Sequence, residues 1–197
     1  DAVVHMINET GDYDFERVNE TAKIRDSIKD FIDNKQPDLE RLDCGRLSLP
    51  SGILVLVVAW HGPKNRTSIQ QRKNAFDNMI MLVEKIRERC DCCSVIVGGD
   101  FNLGSNYPKE SKRLQEIHGQ VYDEYVNKRK EGKKCIDYAV AWPRENFEQK
   151  AKGIVKNQNP EEKIIFDHDI IKLTFKHYSM FDYLTANLST SFAQLEL

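Results

Sequence analysis

The chain has 197 residues, of which 40% are hydrophobic and 30% charged, and its formal net charge is −2. These values fit one ordinary globular domain, predicted over residues 1–197, and they exclude a low-complexity chain. The near-neutral charge gives no electrostatic reason to expect non-specific nucleic-acid binding, although a local basic patch is compatible with it. The longest apolar run, residues 53–60, falls far short of the roughly 18 residues of a membrane span. The first ten residues lack the basic flank and apolar stretch of a signal peptide.

The chain has five cysteines, three of which are crowded together as Cys90, Cys92 and Cys93. An odd number with this spacing does not indicate a disulfide framework. A metal site at these three thiols is the alternative, but the paired C-x-x-C spacing and a clear partner histidine are missing. Reduced thiols are favoured, and they indicate a cytoplasmic or nuclear protein.

The first secondary-structure elements in chain order are a strand or frayed end at residues 1–10 and an amphipathic helix at 18–34. The helix is predicted because apolar residues recur at helical spacing, and Pro37 ends it. A short strand and turn follow at 46–52. The run "ILVLVVAW", residues 53–60, then predicts a strand buried on both faces.

Further along the chain, residues 69–89 predict a long helix with one apolar face. "SVIVGG", residues 94–99, is a second buried strand. Residues 111–130 predict a mostly polar helix, and 143–163 a polar loop. Two more strands are predicted at 135–142 and 169–175, and strands that alternate with helices indicate helices covering both sides of a sheet.

Polar residues follow the ends of the buried strands. In "VIVGGDFN", a glycine pair at a strand end lets the backbone turn and lets a ligand approach. If the segment is extended, Asp100 and Asn102 share one face and Phe101 points into the core. A plain turn is equally compatible, because Asp, Asn and Gly are common turn residues. His61 directly follows the most apolar strand, where a purely structural histidine is the alternative.

Asp137, at the start of "DYAVAW", is predicted to be buried, and a buried carboxylate needs a partner. His168, just before the last strand, is the obvious one. Contact with Asp137 would fix the tautomer of that ring and raise its basicity. Solvated surface charge is the alternative for the segment "DHD" at 167–169.

The motifs "AWHGP", "GGDFN", "IDYAV" and "DHDII", in this order, resemble those of the endonuclease/exonuclease/phosphatase superfamily, also known as the DNase I-like superfamily. The resemblance covers roughly residues 50–175. It implies an α/β fold, a four-layered α/β/β/α sandwich with the site at one end. It also implies Mg²⁺-dependent hydrolysis of a phosphodiester or phosphomonoester, with Mn²⁺ as a possible replacement.

The resemblance also implies a role for each matched residue. Asp100 would orient or deprotonate the attacking water, and Asn102 would donate its amide to the scissile phosphate. His168 would stabilise phosphoryl charge or act as base, with Asp137 as its orienting partner. His61 would contact phosphate or protonate the leaving group. Asp167 would help to hold the metal ion.

The chain departs from the superfamily pattern in its first third. The family has a strand that ends in Gln-Glu, whose Glu is the main metal ligand, whereas "NKQPDL" is followed here by "ERLDCGRLSLPSG". Either the domain is shortened between about 39 and 46, or the sequence lacks a stretch of the natural chain there. Glu40 and Asp43 are the nearest acids, but neither lies in the expected strand. Phe166 replaces the family's usual Ser, and Asn8 is a doubtful match for its early Asn.

A nuclease is the favoured activity, with nucleic acid as the substrate, because basic segments at 64–66 and 128–134 suit a phosphate backbone. The incomplete set of metal ligands motivates an alternative, a catalytically impaired family member that acts as a binding or scaffold module. A phosphatase or sphingomyelinase-like esterase that acts on small phosphate esters is the third interpretation.

Overall fold

The structure is a computed structural model, and it describes residues 14–17, 41–64, 66–123, 135–155 and 170–178. These ranges contain eight strands, one long helix and two short helices. The strands are β1 (Asp14–Arg17), β2 (Leu42–Ser48), β3 (Leu54–Trp60), β4 (Ser94–Asp100), β5 (Gln120–Tyr122), β6 (Asp137–Trp142), β7 (Phe147–Val155) and β8 (Ile170–His177). The helices are α1 (Ile69–Arg89), α2 (Asn106–Glu110) and α3 (Lys112–Glu116).

Six of the strands form one mixed sheet in the order β1-β2-β3-β4-β6-β5. β3 and β4 are parallel and are connected through α1, whereas each of the other neighbouring pairs is antiparallel. β7 and β8 form a separate antiparallel sheet. The predicted buried strands at 53–60, 94–99 and 135–142 are therefore confirmed as β3, β4 and β6.

Side chains alternate between the two faces of the six-stranded sheet, and each face has its own core. In β3, Leu56 and Val58 belong to the core beneath α1, whereas Val55 and Val57 face the second sheet with Phe147. All four valine and leucine side chains are buried. The described residues therefore form three layers of an α/β sandwich: a helix layer, the six-stranded sheet and the second sheet.

Helix α1 begins and ends as its sequence predicts. Ser68 caps the first turn, because its hydroxyl accepts from the Gln71 amide at 3.2 Å while the Gln71 side chain accepts from the Ser68 amide at 3.1 Å. Every apolar residue assigned to the inner face is fully buried, and each contributes about 1.5–3 kcal/mol relative to an exposed position. These residues are Phe76, Met79, Ile80, Val83 and Ile86.

A polar cluster around the buried Ser94, the first residue of β4, joins the two sheets. The Ser94 hydroxyl lies 2.8 Å from His177 Nε2 of β8, and the Asn146 side-chain amide donates to the same hydroxyl at 2.7 Å. Ser94 is fully buried, which denies a substrate access to its oxygen. This serine–histidine contact is therefore an inter-sheet connection and not a nucleophile with its base.

The prediction of a polar loop over 143–163 is wrong for residues 147–155, which form strand β7. β7 pairs with β8 along its length, with a register shift between Gln149 and Ala151. Phe147 is buried against Phe175, with ring centroids 6.0 Å apart. The charged residues of this segment give no strand-like pattern, and the strand is identified by its pairing with β8 and by the buried Phe147.

The prediction of one polar helix over 111–130 is also wrong. Within residues 111–123, only Lys112–Glu116 is helical, and β5 follows at Gln120–Tyr122. Residues 124–130 lie outside the described residues. The helix stops because His118 takes a positive φ of 54° and Gly119 packs tightly against Leu114. The chain then joins the edge of the sheet.

Two further predicted strands are observed with shifted ends, and two predicted segments lie outside the described residues. The short strand predicted from residue 46 begins earlier, at Leu42, because Leu42 pairs with Trp60 across β2 and β3. The predicted strand at 169–175 is observed as β8, at 170–177. The predicted helix at 18–34 and the segment at 1–10 lie outside the described residues.

Replacing Ser94 with Ala is expected to destabilise the fold, because Asn146 and His177 lose the hydroxyl that each contacts. The expected loss in the free energy of unfolding is about 1–3 kcal/mol. Urea unfolding followed by circular dichroism measures it. The control is Ser51→Ala in the exposed β2–β3 turn, expected to stay within about 0.5 kcal/mol of wild type. Equal midpoints for both variants would contradict the role of Ser94.

Candidate functional site

The strand directions bring four polar residues to one edge of the six-stranded sheet. β3 and β4 are parallel, so the residues at their carboxyl ends, His61 and Asp100, lie at the same edge. The flanking strands β2 and β6 run the opposite way, so their first residues reach that edge too. Arg41, His61, Asp100 and Asp137 therefore follow one another across the sheet in this order.

The same four residues belong to one face of the sheet. Leu42, Trp60 and Tyr138, each next in sequence to one of them, belong to the core beneath α1. Because neighbouring residues in a strand alternate between faces, the four polar residues fall on the face covered by the second sheet. The described structure thus gathers a cation, an imidazole and two carboxylates at one corner of the sandwich.

His61 is held between a cation and an anion. Its Nδ1 lies 2.6 Å from an Arg41 guanidinium nitrogen, and its Nε2 lies 4.0 Å from Asp100 Oδ2. The backbone adds to this arrangement, because the His61 amide donates to the Arg41 carbonyl at 3.2 Å. The side chains of His61 and Asp100 are 21% and 18% exposed, so a solute can reach both.

Asp100 and Asn102 form a tight turn and not the extended segment that the sequence suggested. The Asn102 amide donates to Asp100 Oδ1 at 2.8 Å, and Asn102 takes a left-handed φ of 49°. The Asn102 side chain is buried and donates to the Gly62 carbonyl at 3.4 Å. The prediction of an extended segment with both side chains on one face is therefore wrong. Both residues nevertheless lie at the candidate site.

The glycines of the site are required by the protein's own backbone. A Cβ atom on Gly99 would lie 2.0 Å from the Trp60 carbonyl oxygen, and one on Gly62 would lie 2.2 Å from that of Phe101. Gly99 also has a φ of 149°, which side-chain-bearing residues rarely adopt. The sequence suggested that a ligand approaches Gly99, but the backbone of β3 occupies that space.

Phe101 points into the core, as predicted, and anchors the turn. Its ring is fully buried, stacks on Tyr138 at 4.0 Å and meets Trp60 edge-on at 5.2 Å. The Tyr138 hydroxyl donates to the Leu103 carbonyl at 3.1 Å, and burial raises the pKa of this phenol well above its ordinary value. The aromatic cluster beneath the turn fixes where Asp100 stands.

Asp137 lies directly opposite Asp100 in the β4–β6 register and is half-buried, less enclosed than the sequence suggested. Side chains at such facing positions are about 5 Å apart at Cβ, and two facing carboxylates destabilise a sheet unless charge is supplied between them. Asp167 and His168, the predicted metal ligand and the predicted partner of Asp137, lie outside the described residues. The Asp137–His168 contact therefore stays a prediction.

Within the described ranges, no group of three His, Cys, Asp or Glu side chains has the arrangement needed to hold a metal ion. All five cysteines are free thiols. Burial, with Cys90 nearby, raises the pKa of Cys92 to about 12. Among the helices of the described ranges, none has the length and apolar character of a membrane crossing.

Two arginines at the site were not predicted from the sequence. Arg41 was not predicted because its contact with His61 depends on how β2 pairs with β3. Arg72 lies one turn into α1 and donates to the Asn102 carbonyl at 2.5 Å, which ties the helix to the turn. The missed signal was the position of Arg41 immediately before a strand antiparallel to β3, because that places it level with His61.

Comparison with solved structures identifies the fold. A humanized D. rerio TDP2 carrying 14 mutations matches with a TM-score of 0.51 and 18% identity, over 68% of this chain and 57% of that one. An endonuclease/exonuclease/phosphatase from Beutenbergia cavernae matches with a TM-score of 0.50 and 12% identity, over 85% of this chain and 45% of that one. The chain has the DNase I-like fold of endonuclease/exonuclease/phosphatase proteins, as predicted.

The chain spans only about half the length of these two structures. No family model matches the sequence, and no curated protein matches it. At these identities, the likeness establishes the fold alone.

Replacing Gly99 with Ala is expected to destabilise the protein by about 2–5 kcal/mol, from backbone strain together with the clash on Trp60. Gly52→Ala is the matched control. Gly52 also has a positive φ, of 79°, but open space surrounds its Cβ position, so only about 1–2 kcal/mol of strain is expected. Thermal unfolding of both variants separates the two effects. Equal losses would contradict the close approach of β3.

Proposed function

We propose that the protein is a metal-dependent phosphoesterase, and that its substrate is a phosphodiester of nucleic acid. The observation that carries the proposal is the meeting of His61, Asp100 and Asn102 at one corner of a DNase I-like sandwich. A partly exposed carboxylate beside an imidazole can accept a proton from water or donate one to a leaving group. Both groups would be within reach of a phosphate bound at this corner.

Each side chain has a role in this proposal. Asp100 orients the attacking water or accepts its proton. Asn102 offers an amide N–H to a phosphoryl oxygen, and its second bond, to Gly62, holds the amide in place. His61 donates through Nε2 to the phosphate or to the leaving oxygen. Asp137 orients His168, which neutralises phosphoryl charge.

The proposed metal ion is Mg²⁺, with Mn²⁺ as a substitute. Asp167 would bind it directly, and the facing pair of Asp100 and Asp137 supplies the hard oxygen atoms that Mg²⁺ prefers. When bound, the ion would neutralise negative charge on the phosphoryl group. The fit rests on the carboxylate pair, because the described residues alone do not supply a three-ligand group.

A nucleic-acid substrate is supported by basic residues near the site. Lys64 and Arg66, a few residues beyond His61, are both exposed. Cations at the rim would contact the phosphates that flank the scissile one. The second basic segment, 128–134, lies outside the described residues. The five free thiols support a reducing compartment, cytoplasmic or nuclear, as the protein's setting.

A phosphate-binding module without turnover is the second candidate, and the position of Arg41 favours it. A guanidinium beside His61 can hold a phosphate by charge and hydrogen bonds without any metal ion. Such a module would bind the same ligands as the enzyme but would release them unchanged.

A substrate panel is expected to distinguish these functions. Duplex DNA, single-stranded DNA, RNA and a chromogenic phosphodiester are each incubated with Mg²⁺, Mn²⁺ or EDTA. The proposal expects cleavage of a nucleic acid that requires a divalent ion and stops with EDTA. Binding without cleavage under every condition supports the module. Cleavage of the small ester alone supports a phosphatase-like or sphingomyelinase-like esterase.

Changing Asp100 to Asn is expected to lower kcat by roughly 10²- to 10⁴-fold, because the amide cannot take the proton from water. The fold should survive, since an Asn side-chain oxygen can still accept from the Asn102 amide. Asp91→Asn is the matched control, because Asp91 is exposed at the far end of β4 and its φ of 53° suits Asn. Steady-state hydrolysis measures both variants, and near-normal turnover of Asp100→Asn would refute the role of Asp100.

A further inference from the structure

The contact between Arg41 and His61 determines which imidazole nitrogen carries the proton. A guanidinium has five N–H donors and no acceptor, and it keeps its charge in proteins. At 2.6 Å, the Arg41 nitrogen can only donate, so His61 Nδ1 must accept. In the neutral ring, the proton is therefore on Nε2.

The nitrogen that carries this proton, Nε2, is the one nearer to Asp100. Nε2 lies 4.0 Å from Asp100 Oδ2, which is too far for a direct hydrogen bond. An oxygen atom beside this gap can be within hydrogen-bond distance of both groups. Such an atom would accept from Nε2–H and, if it belongs to water, donate to Asp100.

We propose that Arg41 is a positioning residue, which holds His61 as the Nε2–H tautomer so that this proton points at the substrate phosphate. The inference rests on the proposed phosphoesterase function for its catalytic consequence. The tautomer itself follows from the Arg41–His61 contact and is measurable without any substrate.

The fold supports a fixed contact. The His61 amide donates to the Arg41 carbonyl, and the next pair along the strands is Leu42 with Trp60, both buried. Backbone pairing thus keeps Arg41 level with His61. Gly62, on the other side of His61, donates its amide to the Asp100 carbonyl at 2.8 Å. The imidazole is therefore held from both neighbouring strands.

The test uses the opposite hydrogen-bonding abilities of two substitutions. Lys, like Arg, only donates, so Arg41→Lys should preserve the Nε2–H tautomer. An ionised Glu only accepts, so Arg41→Glu should place a proton on Nδ1, whether or not Nε2 keeps its own. Arg113→Glu, an exposed arginine on α3, is the control for the change in charge, and it should leave the tautomer unaltered.

Long-range ¹H–¹⁵N NMR of the imidazole nitrogens reports the tautomer, and the His61→Gln variant assigns the signals. A wild-type ring that is protonated on Nδ1, or on both nitrogens, would overturn the inference. So would an Arg41→Glu ring that stays protonated on Nε2 alone. If Arg41→Glu does not fold, Arg41→Met is used, and two exchanging tautomers are expected there.

Kinetics give the second readout, on the nucleic acid or chromogenic phosphodiester that the protein cleaves. Arg41→Met should lower kcat on the order of tenfold to a hundredfold with little change in KM, less than the loss of a whole acid–base group. Arg41→Lys should restore most of the rate. A higher KM with an unchanged kcat would assign Arg41 to substrate binding and overturn the positioning role. If the expected tautomers are observed but no substrate is cleaved, the proposed function fails and the Arg41–His61 arrangement stands.

Discussion

The parallel pairing of β3 with β4 is the constraint on which the site depends. It brings His61, which follows β3, and Asp100, the last residue of β4, to one edge, and the antiparallel neighbours bring Arg41 and Asp137 to the same edge. A parallel pair needs a long connection, which α1 supplies, and the apolar face of α1 covers one side of the sheet. Fold stability and site geometry therefore arise from the same pairing.

The turn after β4 shows how packing determines the positions of Asp100 and Asn102. Phe101 is fixed in an aromatic cluster, Gly99 admits the backbone of β3, and Asn102 closes the turn on Asp100. Because the core immobilises the residues on either side, the carboxylate has little freedom to move. Pre-organisation of this kind is what acid–base chemistry requires of a site.

The sequence predicts those parts of the fold whose signal is local. α1, β3 and β4 were predicted because their apolar residues show clear helical or strand periodicity. β7 was missed because its pairing with β8 and the burial of Phe147 depend on tertiary contacts. The early end of α3 was missed because it depends on the tight packing of Gly119 on Leu114.

The site was predictable to a similar degree. His61, Asp100 and Asn102 follow recognisable motifs at strand ends, and the structure brings them together. The left-handed turn at Asn102 and the contact of Arg41 with His61 were not predicted. Both depend on tertiary register, which no short segment of sequence records. Arg41 could be recognised only once the antiparallel pairing of β2 with β3 is known, because that pairing places the residue before β2 level with His61.

The central claim is that this corner of the sandwich binds a phosphate group. The most direct measurement is an amide NMR titration of the ¹⁵N-labelled protein with inorganic phosphate, with and without Mg²⁺. The account predicts saturable shifts at residues 61–62 and 100–102, and none at the opposite end of the sheet around Ser94 and Asn146. Shifts confined to that opposite end, or no saturable shift at 61–62 and 100–102, would contradict it.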